Sequence, residues 1–357
     1  MYEYRHGGNV HAEPGGVNFL DFSASINPLG PPKQVDEAIH KAIVLCHRYP
    51  DNRSMELRQS IAGVENVDDD RIFCGGGSSD IIFRLASCAK THTGLVFRPT
   101  FSDYEKALRA CRKEVVYRPL EEQRGFVCDE NVLRSVGDAG IVFLCNPNNP
   151  TGLLTPRPAI EKLLRQCEKR ETLVVVDECF MDFCCEAKET TAKPLLAGFR
   201  NLVVLKAVTK TFALPGIRLG YAMCSDPMLI DRLYAHGPDW AVSTLAQTAG
   251  IAALQNADRF IGETVAYVAE ERQFVRRALD DLGYTVFDGR ANYLFFKNPY
   301  DFDLKTELDA RLIRIRSFAA DDGLGSEYCR IGLKKRNDNI RLVDAVRKTT
   351  HEKGGRP

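Results

Sequence analysis

The chain has 357 residues, 48 basic and 48 acidic side chains, and 44% hydrophobic residues. A net charge of zero argues against a nucleic-acid-binding protein and against a polybasic membrane anchor. The length predicts two domains, and no apolar run reaches the ~18 residues needed to cross a bilayer.

The stretch from Met1 to Gly8 is polar and lacks the apolar core of a signal peptide, so the expected compartment is the cytoplasm. Cys74-Gly-Gly-Gly-Ser-Ser-Asp80 is a Gly-rich turn opening a helix predicted over 81–89. Residues 141–145, 173–177 and 202–206 are continuous apolar runs of strand length, the pattern of strands buried on both faces. Between the first two, apolar residues at 159, 160, 163, 164 and 167 recur at helical spacing. This alternation predicts an α/β fold with a mostly parallel sheet. Residues 244–282 read as one long helical stretch. Short runs at 293–296, 313–316 and 329–333 predict a smaller α+β domain, and the polar residues 349–357 a frayed end. The expected division is a large domain over 42–245 and a small domain built from 1–41 and 246–357. The twelve cysteines contain no Cys-x-x-Cys pair, which predicts free thiols packed as small core residues and no metal site.

Four motifs carry chemistry. The Gly-rich turn at a helix N-terminus can cradle a phosphate, or it is simply a capped turn. Asn146-Pro-Asn-Asn-Pro-Thr-Gly152 follows a predicted strand, at the edge where open α/β sheets bind ligands, and Asn149 offers an amide there. Asp177 ends the next strand; a carboxylate so placed can keep a pyridine nitrogen protonated, or cap a helix. Thr209-Lys210 follows the third strand, eight residues before Arg218. A lysine out of water and beside a cation has a lowered pKa and forms Schiff bases. Lys206 is the rival lysine.

Taken in order, these motifs resemble pyridoxal-phosphate enzymes of fold type I, the aspartate-aminotransferase fold, and in particular the branch of histidinol-phosphate aminotransferase. The ends sharpen the resemblance. His6-Gly7-Gly8-Asn9 and Asn27-Pro-Leu-Gly30 stand near the start, Ile315-Arg316-Ser317 and Tyr328-Cys-Arg330 near the end. Together they look like the threonine-phosphate decarboxylase family of cobalamin biosynthesis. The resemblance implies pyridoxal 5'-phosphate as cofactor, with Lys210 as its Schiff-base lysine and Asp177 on the ring nitrogen. Gly77, Ser78, Ser79 and Arg218 would hold its phosphate. Thr209 and Asn149 add cofactor contacts, Phe101 stacks on the ring with Tyr104 in reserve, and Tyr49 reaches across a homodimer. His6, Gly7, Asn27, Asn149, Arg316 and Arg330 would contact a phosphorylated amino acid. Phe180 stands where many aminotransferases have tyrosine, and Ala207 where many have serine. The implied reaction is decarboxylation of L-threonine O-3-phosphate, or of serine phosphate, without nucleic-acid or membrane partners. An aminotransferase of the histidinol-phosphate type and a non-catalytic pyridoxal-phosphate-binding regulator are the alternatives.

Overall fold

The computed structural model describes residues 7–8, 18–134, 136–319 and 323–353, so His6 lies outside the described residues. In chain order the strands are β1 (Leu20–Asp21), β2 (Ile72–Gly75), β3 (Thr93–Arg98), β4 (Glu114–Pro119), β5 (Ile141–Cys145), β6 (Leu173–Asp177), β7 (Leu202–Ala207), β8 (Gly220–Cys224), β9 (Thr285–Val286), β10 (Tyr293–Lys297), β11 (Ile313–Arg314), β12 (Arg316–Ser317) and β13 (Tyr328–Gly332). Strands β2 to β8 form one sheet in the order β2-β8-β7-β6-β5-β3-β4. Within it β8 is antiparallel to both neighbours, and the other pairs are parallel. This is the α/β fold with a mostly parallel sheet that the strand runs predict.

The alternation along β5, β6 and β7 explains the layers. Phe143, Val175, Val203 and Leu205 enter one apolar core. Val142, Leu144, Val174, Val176, Leu202 and Val204 enter the other. Successive strand residues face opposite sides, so a strand apolar at every position needs cover on both. Helices Ser78–Cys88 and Asp103–Ala110 cover the first face with Ile81, Leu85 and Leu108. Helices Met55–Glu65 and Arg157–Glu168 cover the second with Leu57, Ile61, Ile160, Leu163 and Leu164. Each such side chain, fully buried, contributes about 1.5–3 kcal/mol.

A second, antiparallel sheet has the order β12-β13-β10-β9. Arg316 on β12 is the direct cross-strand partner of Arg330 on β13, so both side chains rise from one face. Near the start of the chain, β1 pairs in parallel with β11.

Three local expectations change. The helical stretch 244–282 is two helices, Thr244–Leu254 and Ala257–Asp281, parted where Asn256 adopts φ 61°. Asn tolerates that left-handed conformation, and apolar periodicity does not register it. Residues 313–316 are two short strands, because the chain leaves β1 for β13 at Ile315, which is buried. The end is not frayed from 349: helix Arg336–Lys353 runs through it, with Thr349 fully buried and Thr350 bonding Tyr284. The cysteines do pack as small core residues, nine of the twelve being buried.

Candidate active site

Sheet register brings the chemistry to one edge. Gly75 at the end of β2 and Ala207 at the end of β7 both pair with Gly220 at the start of the reversed strand β8. The residues just beyond those three positions therefore meet. They are Gly77 to Ser79, Thr209 to Lys210, and Arg218. Asp177 at the end of β6 pairs with Leu205 and with Cys145, so the acid and the Asn loop share the same rim.

A cavity of about 490 Å³ opens there. Ser78, Ser79, Phe101, Asn149, Asp177, Lys210 and Arg218 line its sheet side. Gly7, Arg316 and Arg330 line the other. Ten of the residues singled out by sequence thus converge on one space.

The two lysines separate cleanly. Lys206 Nζ lies 2.7 Å from Asp182 and 3.0 Å from Glu65, both nearly buried, and this pairing pushes its pKa up against the pull of burial. Lys210 faces the cavity. Burial first, then Arg330 and Arg218, bring its ammonium down to about 8 against an opposing pull from Cys179 and Asp177. Of the two, Lys210 has the environment of a nucleophilic amine.

Gly77 has φ 90°, and a Cβ built on it would sit 2.7 Å from Arg218 Nη2. The glycine leaves room for the guanidinium to lie over the turn at the N-terminus of helix Ser78–Cys88. Gly220 does the same from beneath, since a Cβ there would lie 2.6 Å from the Ser78 nitrogen. Unpaired N–H groups of a first helical turn plus an arginine form an anion site. The Ser79 hydroxyl donates to Asp103 Oδ2 at 2.6 Å, so it donates to an anion only after rotating away from Asp103.

Asp177 is buried, which raises its pKa, while hydrogen bonds from Cys179 and Tyr104 oppose the rise. The backbone N–H of Cys179 donates to Oδ1 at 3.0 Å, and the Tyr104 hydroxyl to Oδ2 at 2.6 Å. Tyr104 is fully buried and stacked on Phe143, with centroids 4.9 Å apart. It therefore orients Asp177 and is not a reserve for Phe101, which does line the cavity wall. The sequence signal existed: Tyr104 stands one helical turn after Phe101, at the start of a helix.

Ser23 organises the far wall. Its carbonyl accepts from Arg330 Nη2 at 2.8 Å, and its hydroxyl accepts from the Gly8 N–H at 2.9 Å. A Cβ on Gly7 would meet the Ser23 oxygen at 2.3 Å, so only glycine passes there. Arg330 Nη1 also donates to Asn149 Oδ1. Burial lowers the Arg330 pKa to about 10, with Arg316 adding to the effect. Asp21 and Lys334, which the motifs do not flag, complete this end.

Other expected residues fall elsewhere. Asn27 is not on the cavity wall, and its expected contact with substrate does not fit this geometry. Its amide nitrogen donates to the Thr211 carbonyl at 2.7 Å and to Thr264 Oγ1 at 2.8 Å. Its Oδ1 accepts from Leu29, and its own N–H donates to the Lys210 carbonyl. The amide nitrogen is spent on the segment that carries Lys210 and on the long helix, and the amide oxygen on Asn27's own turn. Thr209 is buried beside Lys210, off the wall. Tyr49 is 79% exposed and stacked on Trp240, away from its own chain's cavity.

The profile of the family described as "Aminotransferase class I and II" matches residues 17–345. The threonine-phosphate decarboxylase of Salmonella typhimurium is 35% identical over 97% of each chain. An adenosylcobalamin biosynthesis bifunctional protein of Leptospira interrogans is 28% identical over 95% of this chain and 40% of its own. The crystal structure of histidinol-phosphate aminotransferase from Clostridium acetobutylicum superposes with a TM-score of 0.86 at 26% identity, covering 93% of this chain and 99% of that one. The chain belongs to the class I and II aminotransferase family.

Pyridoxal 5'-phosphate is the cofactor of that family and of this chain, and the residues present fit it. The cradle at Gly77 and Arg218 is kept open by the absence of two Cβ atoms. A lysine of lowered pKa and a buried carboxylate lie on the same wall.

Proposed function

We propose that this protein is a cytoplasmic, homodimeric decarboxylase that converts L-threonine O-3-phosphate to (R)-1-amino-2-propanol O-2-phosphate and carbon dioxide for the cobalamin side chain. The observation that favours this over a histidinol-phosphate-type aminotransferase is the N-terminal Gly7-Gly8 pair on the cavity wall, fixed to the Ser23 that also holds Arg330. The 35% identity with the Salmonella decarboxylase over nearly the full length supports the same reading.

When bound, pyridoxal phosphate supplies an electron sink for a bond broken at Cα of an amino acid. The chain's own residues decide which bond. Lys210, with its ammonium brought down to about 8, would offer Nζ as a free amine far more readily than an ordinary lysine to hold the cofactor, and would keep a base close to Cα of the substrate. Asp177, oriented by Tyr104 and Cys179, keeps a proton on the ring nitrogen. Gly77, Ser78, Ser79 and Arg218 anchor the cofactor phosphate. Arg330 and Arg316 hold the substrate's two anionic groups from one face of the small sheet. Rigid charge pairing at a remote phosphate would fix the orientation of the substrate carboxylate, and with it which bond at Cα is broken; in decarboxylation the carboxylate is lost as carbon dioxide and a proton takes its place at Cα. Phe180 lines the cavity without a hydroxyl, as a decarboxylase of this type would have it.

In the dimer, Tyr49 reaches the partner's cofactor phosphate. The exposed apolar residues Ile43, Val44, Leu45, Tyr49, Met55 and Trp240 support this. None of the described helices is long and apolar enough to cross a membrane.

The test is release of labelled carbon dioxide from carboxyl-labelled L-threonine O-3-phosphate, with pyridoxal phosphate and no keto acid. Catalytic release is expected. No release, with histidinol phosphate converting the cofactor to its amine form, makes the protein an aminotransferase.

A further inference from the structure

The substrate end of the cavity holds a cation that no motif signals. Arg330 lies on β13 and Lys334 two residues beyond its last residue, Gly332, and both line the cavity. A Cβ on Gly332 would lie 2.6 Å from the Ala24 carbonyl, and the Gly332 N–H donates to the Phe22 carbonyl at 2.7 Å. Residues 22–25 thus pass against Gly332, between Arg330 and Lys334, and both side chains remain on the wall.

The backbone of Lys334 is fixed on both sides. Its N–H donates to Asn339 Oδ1 at 3.0 Å, and its carbonyl accepts from Asn339 Nδ2 at 2.8 Å. Asn339 is fully buried and also donates to Glu271 Oε2 at 2.7 Å. Two nearby arginines are paired with carboxylates, Arg336 with Glu270 and Glu271, and Arg314 with Asp309. Among the described residues no carboxylate comes within ion-pairing distance of the Lys334 ammonium. A half-buried ammonium without a counter-ion is costly. Burial lowers its pKa, opposed by Asp21 and Asp338. Asp21 shares the cavity, and its Oδ1 accepts from the Ser23 N–H at 2.8 Å and from the Ser23 hydroxyl.

Resting on the substrate reading above, we propose that Lys334 is a specificity-determining residue that pairs with the phosphate of the bound phospho-amino acid. A phosphomonoester carries about −1.5 to −2 charges near pH 7, and the carboxylate one more. Arg316 and Arg330 alone leave that ligand under-neutralised in a partly buried site. Lys334 supplies the missing charge, and its clamped backbone sets the distance at which a phosphate is accepted. Asp21 offsets part of the positive field while the site is empty of substrate.

The test uses the cofactor-loaded full chain and calorimetric titration with O-phospho-L-threonine, O-phospho-L-serine and histidinol phosphate. Lys334→Gln is expected to weaken phospho-amino-acid binding roughly ten- to hundredfold, the worth of a charged hydrogen bond. The visible absorbance of the bound cofactor should stay unchanged, and Lys334→Arg should recover most of the affinity. Affinity within twofold of wild type in Lys334→Gln overturns the assignment. So does equal weakening in Lys334→Arg and Lys334→Gln, which marks a packing role. Failure of the substrate reading looks different. The wild type then binds histidinol phosphate but not phosphothreonine, and weakening of that binding by Lys334→Gln keeps Lys334 as the phosphate cation. A wild type that binds none of the three overturns both.

Discussion

Lys206 and Lys210 lie four residues apart and have opposite environments. Lys206 is clamped between Glu65 and Asp182, and removing one partner of a buried ion pair costs about 3–5 kcal/mol. Lys206→Met is therefore expected to lower stability by that order in urea unfolding while retaining the visible absorbance of the bound cofactor. Lys210→Ala should do the reverse, losing the absorbance with little change in stability. The pH dependence follows from the same contrast. With a pKa of about 8 in place of 10.5, Lys210 Nζ is neutral above about pH 8. The rate at which apo protein captures pyridoxal phosphate should rise about tenfold per pH unit up to that point and then level off. In Arg330→Gln the break should move to higher pH, because the second-largest influence on that amine is gone. A break near 10.5 in the wild type would exclude the lowered value. Sequence identifies Lys210 by its distance from Arg218, but it carries no sign of what sets the pKa. Glu65 lies in a helix 141 residues before Lys206 and closes on it only through the fold.

The short helix Val208–Thr211 is held from outside itself. Asn27 bonds the carbonyls of Lys210 and Thr211 and spans to Thr264 in the long helix, while Thr211 Oγ1 donates to Asp182 at 2.9 Å. Asn27→Ala leaves the Thr211 carbonyl short of a donor and should cost about 1–3 kcal/mol in stability. It should also weaken the cofactor's hold, with the affinity for phospho-amino acid following only through that loss. A variant that melts like wild type and loses substrate affinity alone would restore Asn27 to the substrate wall. This is where motif reading gave way. The continuous apolar runs of β5, β6 and β7 announce a double-sided sheet, and its edge locates Asn149, Asp177 and Lys210. An Asn-Pro-Leu-Gly turn does not reveal which way its amide points. That direction depends on a helix more than two hundred residues later, and Tyr104 likewise meets Asp177 from 73 residues away in the chain.

At the scale of the molecule, one neighbourhood is apolar without cover. Ile43, Val44 and Leu45 follow the helix Lys33–Ala42, and Val44 is 71% exposed. Tyr49 stacks on Trp240 at 4.4 Å, and Asn52 ties the two segments together through Asp239 and the Trp240 N–H. A tethered stacked pair beside three exposed aliphatic residues has the composition of an interface core, in which aromatic residues are enriched and charges depleted. If two copies meet there, Val44→Asp buries a charge in the contact and should shift sedimentation mass toward the monomer at micromolar concentrations. On the proposal that Tyr49 reaches the partner's cradle at Gly77 and Arg218, cofactor affinity should fall with it. Tyr49→Phe separates the two effects: it should keep the dimer and lose cofactor affinity by several-fold, the order of one hydrogen bond to a phosphate. The melting temperature of the wild type should rise with protein concentration, whereas that of Val44→Asp should not, because only association couples stability to concentration. A wild type whose sedimentation mass is monomeric across that range, with full cofactor affinity, would remove the shared site and leave Tyr49 as a surface side chain.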